Sequence, residues 1–399
     1  MNADRHRMRI GVIGLITIGN SSAGTAGGVE KLVEEVATRL AGRGHEVTVY
    51  CRAKYNINRL KEWNGVKICS LPAVYTKHLE SFSHSFLSTL VAMLTCDVIQ
   101  FHSMGPALFA LLPRLLGCKV VCTLHGLDWR RDKWGPLAKQ VLKIGERCAI
   151  SFPNRTTVVS RFLHHYYPET YGKSVSFIPN GVPPICPRPL DRLKRFGLEP
   201  GKYVLYLSRI VPEKGSHYLI PAFKQLDTDM KLVMAGDARH AEEYLQSVKN
   251  LAKDDPRIIF TGPLYGEEKE EAFSNAYCFC LPSDLEGLPI VLLEAMGSGR
   301  CCLTSDIAEL LEVVDPPRAG FKDADSADAP SPHGATFRRG DIEDLRNQLK
   351  LLIESPGEVE RLGNNARIHA DRNYNWDSIA DQYENLYLSL TRGSDAAKR

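Results

Sequence analysis

The chain has 399 residues, 44% of them apolar and 24% charged, with 50 Lys+Arg against 47 Asp+Glu. These proportions exclude a disordered, collagen-like or fibrous polypeptide, and the length exceeds that of one ordinary domain. The small net charge hides an asymmetry: residues 1–180 hold 23 Lys+Arg against 12 Asp+Glu, and residues 181–399 hold 27 against 35.

Arg5, Arg7 and Arg9 precede the apolar run Ile10–Ile18, the order of a secretion signal. A glycine-rich stretch and a helical pattern follow at once, so the run reads instead as a first buried strand. Strands are predicted at Arg9–Leu15, Val47–Cys51, Val66–Leu71, Val98–His102, Lys119–Leu124, Thr157–Val159 and Val175–Ile178. Helical patterns such as Val29–Arg43 and Lys139–Ala149 lie between them. The best candidate for a membrane span, Ala107–Leu116, is short and broken by Pro113 and Arg114.

Pro179, Pro183, Pro184, Pro187 and Pro189 then interrupt the rhythm, as prolines do in a linker. It restarts at Tyr203–Leu207, Lys231–Ala235, Ile258–Thr261, Cys278–Leu281 and Cys301–Thr304. The pattern predicts an α/β protein of two Rossmann-like doubly wound domains facing a cleft, residues 1–184 and 185–375. An amphipathic helix from Trp376 (Ile379, Tyr383, Leu386, Leu390) makes residues 376–399 a segment expected to pack back on the first domain. Lys322–Pro332, acidic and rich in Ala, Ser and Pro, reads as a mobile insertion. The eleven cysteines show no zinc-ligand spacing and read as buried thiols of a reducing cytoplasm.

Three stretches carry chemistry. Gly24, Gly27 and Gly28 sit between the first strand and the first helix, where amides without a neighbouring Cβ can approach a phosphate; a purely structural turn is the alternative. Arg209 and Lys214 follow the first strand of the second domain, five positions apart, and can straddle a diphosphate; a solvated loop is the alternative. Glu286-Gly287-Leu288-Pro289-Ile290 leads into a mostly apolar helix carrying Glu294. Pro289 suits the first helical turn, so the amides near it form an anion site. A carboxylate in so apolar a helix needs a partner, which ribose hydroxyls would supply, and Glu286 is placed for sugar hydroxyls. One cap and one exposed acid is the bland alternative.

The stretches Gly27-Gly28-Val29-Glu30, Gly44-His45-Glu46-Val47, Pro179-Asn180-Gly181-Val182, Arg209-x4-Lys214, Glu286-x7-Glu294 and Gly340-Asp341 occur in this order. Together they resemble the large group of retaining glycosyltransferases of GT-B fold that use nucleotide-sugar donors, and His125-Gly126-Leu127-Asp128-Trp129 is similar to transferases that assemble bacterial surface polysaccharides. The resemblance implies an acceptor-binding first domain and a nucleotide-sugar-binding second domain. It implies that Arg209 and Lys214 hold the donor diphosphate, Glu294 the ribose and Glu286 the transferred sugar. Gly27, Gly28, Gly287, Leu288, Pro289 and Ile290 would complete the donor cradle, and His125 would face the reacting sugar and acceptor; a packing histidine at a strand end is the alternative. After Cys301–Thr304 the family's glycine pair is replaced by Asp306-Ile307-Ala308-Glu309, although Glu312 retains the last acid of the motif.

The activity so implied is retaining hexosyl transfer from a nucleoside-diphosphate sugar to a glycan or lipid-linked acceptor, with no metal or other cofactor required. Asp227 and Asp229 have metal-binding spacing but precede a strand, at the wrong edge for a donor site. A nucleotide-sugar epimerase, a sugar phosphorylase and a non-catalytic nucleotide-sugar-binding subunit are the alternatives. Residues 101–180 hold 11 Lys+Arg against 4 Asp+Glu, concentrated in Trp129–Arg147. That segment reads either as a peripheral patch for an anionic membrane or lipid diphosphate, or as a solvated helix face. Nucleic acid is not an expected partner, because no recognition motif accompanies the charge. The expected location is cytoplasmic, peripheral on the inner face of the membrane under the first of those readings.

Overall fold

The computed structural model describes residues 7–19, 27–76, 79–131, 133–183, 185–238, 241–320 and 332–395. Its contacts divide the chain into two units, Met1–Asn180 with Trp376–Arg399, and Gly181–Asn375. Most of the proposed glycine turn, including Gly24, and all of the acidic insertion but Pro332 lie outside the described residues.

Unit 1 contains β1 (Arg9–Ile13), α1 (Gly28–Gly42), β2 (Glu46–Arg52), β3 (Glu62–Trp63), β4 (Val66–Leu71), α2 (Leu79–Thr95) and β5 (Val98–His102). It continues through α3 (Leu111–Leu115), β6 (Lys119–Leu124), α4 (Pro136–Ser151), β7 (Arg155–Val158), α5 (Arg161–Tyr171) and β8 (Ser176–Phe177). The strands order as β3-β4-β2-β1-β5-β6-β7-β8, parallel throughout except for the short edge strand β3. The arginine-led apolar run is therefore a central strand, with Ile10 paired to both Val47 and Val98. Helices cover both faces of such a sheet, which is why its strands read as unbroken apolar runs.

Unit 2 contains β9 (Tyr203–Leu207), α6 (Ser216–Lys224), β10 (Lys231–Ala235), α7 (Glu242–Ala252), β11 (Ile258–Gly262), α8 (Gly266–Asn275) and β12 (Cys278–Leu281). It ends with α9 (Ile290–Gly297), β13 (Cys301–Ser305), α10 (Ala308–Val314), β14 (Ala335–Phe337), α11 (Ile342–Glu354) and α12 (Pro356–Asn373). All its strand pairs are parallel, in the order β11-β10-β9-β12-β13-β14. Counted within the unit that is 3-2-1-4-5-6, which reverses direction between β9 and β12, and ligands bind at such a switch point. The proline-rich segment is not a free tether: the Arg188 amide donates to Ser274 Oγ of α8 (3.1 Å), and its guanidinium pairs with Glu267 (3.3 Å) and Glu270.

The last helix, α13 (Trp376–Asp395), belongs to unit 1. Its inner stripe is Ile379, Tyr383 and Tyr387, the last in place of the anticipated Leu386 and Leu390, which are only half-buried. The Tyr387 hydroxyl donates to Gln100 of β5, and Glu384 pairs with Arg43 (2.6 Å) and with His45 Nε2 (3.1 Å). The Gly44-His45-Glu46-Val47 motif thus ties α13 to the end of α1. No helix among the described residues is long and apolar enough to cross a membrane.

Candidate functional site

Arg209 and Lys214 leave the carboxyl end of β9, and Glu286 to Ile290 leave the carboxyl end of β12. These strands are neighbours, with Val204 paired to Cys278 and Leu205 to Phe279, so both loops emerge at the switch point. Two glycines allow the loops to meet. Gly215 has φ +68°, and a Cβ there would lie 1.8 Å from the carbonyl oxygen of Pro282. Gly236, just past β10, approaches Ser208 as closely, and the Ile210 amide donates to Asp237 O (2.6 Å). A side chain at either position would push the cationic loop off its neighbour.

So braced, Lys214 Nζ forms an ion pair with Glu286 Oε1, and Ser283 Oγ donates to the same carboxylate (2.7 Å). Both members of the pair are nearly buried, at 12% and 6% exposure. The structure therefore joins directly two residues to which the sequence assigns separate ligand groups. Arg209 is exposed, and its guanidinium has no hydrogen-bond or ion-pair partner among the described residues. Its backbone is fixed by the Tyr206 hydroxyl, which donates to the Arg209 carbonyl (3.0 Å).

Pro289 is the N-cap of α9, one position earlier than the first turn. Leu288 and Ile290 beside it are buried, and Gly287 is half-buried. The first amides of α9, at Ile290 and Val291, precede any intrahelical acceptor and carry the positive end of the helix dipole. Glu294 is the fifth residue of that helix and 6% exposed. In this structure its partner is Lys269 of α8, whose Nζ lies 2.6 Å from Oε1. Sequence reasoning missed Lys269: it lies 25 positions upstream, on another helix, and no spacing rule connects the two. After β13, Glu309 and Glu312 are buried on α10, and Asp306 accepts from the Arg339 amide (2.9 Å).

In unit 1, Gly27 is the N-cap of α1 and Gly28 its first residue. The Gly27 amide donates to Glu30 Oε2 (3.1 Å), while Oε1 of that carboxylate accepts from the Ile16 amide (3.2 Å). One amide of the proposed phosphate cradle is therefore already taken, by a buried acid whose pKa burial raises. His125 follows β6, with its Nε2 2.9 Å from Nδ1 of His102 at the end of β5. The two rings stack, their centroids 5.2 Å apart. Burial lowers the His125 pKa to about 4, so the imidazole is neutral at physiological pH. His102 is the second residue sequence reasoning missed, because at a strand end it counted only as part of the strand.

Asp229 pairs with Lys202 (3.4 Å) ahead of β10, away from the switch point. Among the described residues no three His, Cys, Asp or Glu side chains gather as a metal site. All eleven cysteines are free thiols.

Residues 26–184 match the family described as Glycosyltransferase Family 4, and residues 191–369 match Glycosyl transferases group 1. Among curated proteins, N-acetyl-alpha-D-glucosaminyl L-malate synthase of Bacillus anthracis is 23% identical over 402 residues, covering 96% of this chain and 99% of its own. Among solved structures, sucrose-phosphate synthase from Thermosynechococcus elongatus superposes with a TM-score of 0.81 at 19% identity, over 97% of this chain and 100% of its own. Anabaena HepE in complex with UDP-glucose gives a TM-score of 0.78 at 17% identity, over 96% and 100%. The fold is that of these enzymes, the GT-B fold.

Proposed function

We propose that the chain, whose residues 191–369 match the group 1 glycosyl transferases and whose residues 26–184 match Glycosyltransferase Family 4, is a retaining hexosyltransferase, moving a sugar from a nucleoside-diphosphate donor to a glycan or lipid-linked acceptor. The observation that carries this reading is the emergence, at the β9/β12 switch point, of the loop bearing Arg209 and Lys214 beside the loop that leads into α9, whose first amides have no intrahelical acceptor. The UDP-glucose bound by Anabaena HepE supports a donor of this class.

Cleavage of a sugar–diphosphate bond leaves added negative charge on the phosphate and positive character on the anomeric carbon. Arg209, Lys214 and the amides of Ile290 and Val291 stabilise the first, and they do so without reorganising as the reaction proceeds. Glu294, held by Lys269, presents its second oxygen to the ribose hydroxyls. Glu286 takes a hydroxyl of the transferred sugar, and neutral His125 hydrogen-bonds on the acceptor side. Retention follows when the acceptor attacks from the face the diphosphate leaves. No side chain is assigned as nucleophile, and no metal or other cofactor has a step in this scheme.

The test is a screen of nucleotide sugars for thermal stabilisation, in which a donor at 100 times its Kd adds about 2.7 kcal/mol. The stabilising donor is then supplied with acceptors, and the anomeric configuration of the product is read by NMR. Arg209→Ala lowers turnover by about 10²–10³ with the fold intact, as for loss of one charge-stabilising donor. Turnover near wild type in that variant removes Arg209 from the site, and conversion of the donor without an acceptor points to an epimerase.

A further inference from the structure

We propose that the outward face of α2, α3 and α4 in unit 1 is a docking surface for an anionic lipid bilayer. The first observation is that α2 is inside out. His84, Ser85, Ser88 and Thr89 are each no more than 1% exposed, whereas Leu79, Phe82 and Phe86 face solvent. The outward residues fall at i, i+3 and i+7, a single stripe. A helix bathed only in water places such residues the other way round.

The stripe does not end with its helix. Phe82 and Phe86 pack on Phe109, with ring centroids at 4.9 and 5.4 Å, in the short turn before α3. From α3 and its end, Leu115 and Leu116 stand 72% and 62% exposed. α4 packs on that same turn and presents Leu137, Val141 and Ile144, again at i, i+4 and i+7, with Leu137 81% exposed. Of the eighteen large apolar side chains exposed among the described residues, eleven lie between Leu79 and Ile144. Contiguous apolar area on this scale marks an interaction site.

Charge selects the partner. Lys139, Lys143 and Arg147 run along one flank of α4, and exposed Arg114 is anchored past the C-terminal end of that helix by bonds to the carbonyls of Phe152 and Pro153. The one acid of α4, Glu146, is buried and accepts from the Tyr171 hydroxyl (2.7 Å). Apolar side chains flanked by cations match the acyl boundary and headgroups of an anionic leaflet. A second copy of this face would oppose like charges. Trp129 and Trp134 are not anchors in this arrangement: their indole N–H groups are buried, and Lys143 and Lys133 lie over their rings at 4.7 and 4.8 Å.

The experiment is co-sedimentation of the full chain with vesicles of phosphatidylcholine, with and without phosphatidylglycerol. Binding is expected to require phosphatidylglycerol and to weaken as salt rises. Replacing Lys139, Lys143 and Arg147 by Gln lowers partitioning about fivefold per cation, the factor that ~1 kcal/mol per charge near an anionic leaflet implies. Phe82→Ser with Phe86→Ser lowers it at least about tenfold. Should that pair disturb the fold, Leu137→Ser, on an exposed site, reads the same face. Equal binding to both vesicle types, no binding, or binding indifferent to these substitutions overturns the proposal. So does sedimentation velocity showing a dimer that Phe86→Ser dissociates. None of these readouts involves glycosyl transfer, so the surface and the activity stand or fall separately.

Discussion

The buried pair between α8 and α9 provides a sharp test of the site. Glu294 is 8% exposed at its side chain and Lys269 29%, and the 2.6 Å contact is a charge-assisted hydrogen bond. Lys269→Met keeps the aliphatic stem and removes the ammonium, leaving a carboxylate inside an apolar helix. Breaking a fully buried pair in this way costs about 3–5 kcal/mol. Water reaches the lysine here, so the expected loss is nearer 1–2 kcal/mol. Glu294→Gln strands an ammonium that can turn to solvent, at about 1 kcal/mol. The double variant buries only a neutral amide, so it is more stable than the sum of the two losses predicts by about 1 kcal/mol.

All four tryptophans, Trp63, Trp129, Trp134 and Trp376, fall in unit 1. Tryptophan emission during urea unfolding therefore follows unit 1 alone, while far-ultraviolet circular dichroism follows both units. The substitutions shift the dichroism transition, and affinity for the nucleoside diphosphate that best stabilises the wild-type chain falls about tenfold in Glu294→Gln, as for one lost hydrogen bond to a charged group. Losses that simply add, to within about 0.3 kcal/mol, mean that the pair does not interact in solution. Undiminished nucleotide affinity refutes the assignment of Glu294 to the ribose.

Gly215→Ala is expected to lower turnover by about 10², the effect of a misplacement near 1 Å, because the Lys214 loop must retreat from Pro282; an active Ala variant would show that this contact does not hold the loop. Burial lowers the pKa of His84 to about 4. The unfolded chain binds that proton near pH 6.5 and the native chain only near pH 4, so stability declines as pH falls through this window, by at most about 3 kcal/mol. Thermal unfolding at pH 7 and pH 5 should show a smaller decline in His84→Gln than in wild type; an equal decline would mean that His84 titrates normally.

The sheets were legible because parallel strands covered on both faces leave unbroken apolar runs. β3 and β14 escaped for the complementary reason: at two and three residues they are too short to show a period, and they exist as edges because β4 and β13 offer free hydrogen-bonding groups. The face of α2 turned toward the sheet was not legible either. Ser, Thr and His can be buried once bonded, as Thr89 Oγ is to the Ser85 carbonyl (2.7 Å), so composition alone does not orient the helix. In the site, the residue types at the switch point announced themselves by spacing along the chain. Their partners did not, since Lys269 and His102 meet Glu294 and His125 only through the packing of separate elements.

The Lys214–Glu286 pair bears on how the proposed donor site would work. Without a ligand, the acid neutralises one of the two cations that the proposed reaction needs, leaving Arg209 as the exposed positive charge on the β9 loop. A diphosphate drawn to Arg209 and the amides of α9 competes with Glu286 for the lysine. The carboxylate so released gains a hydrogen-bond donor only if a sugar hydroxyl takes the lysine's place. An unsubstituted nucleoside diphosphate leaves that carboxylate with Ser283 alone, and a nearly buried acid short of a partner is costly. Under the proposed roles the ion pair therefore favours a complete donor over its nucleotide product. Exchanging Glu286 for Gln should narrow the difference in affinity between the two.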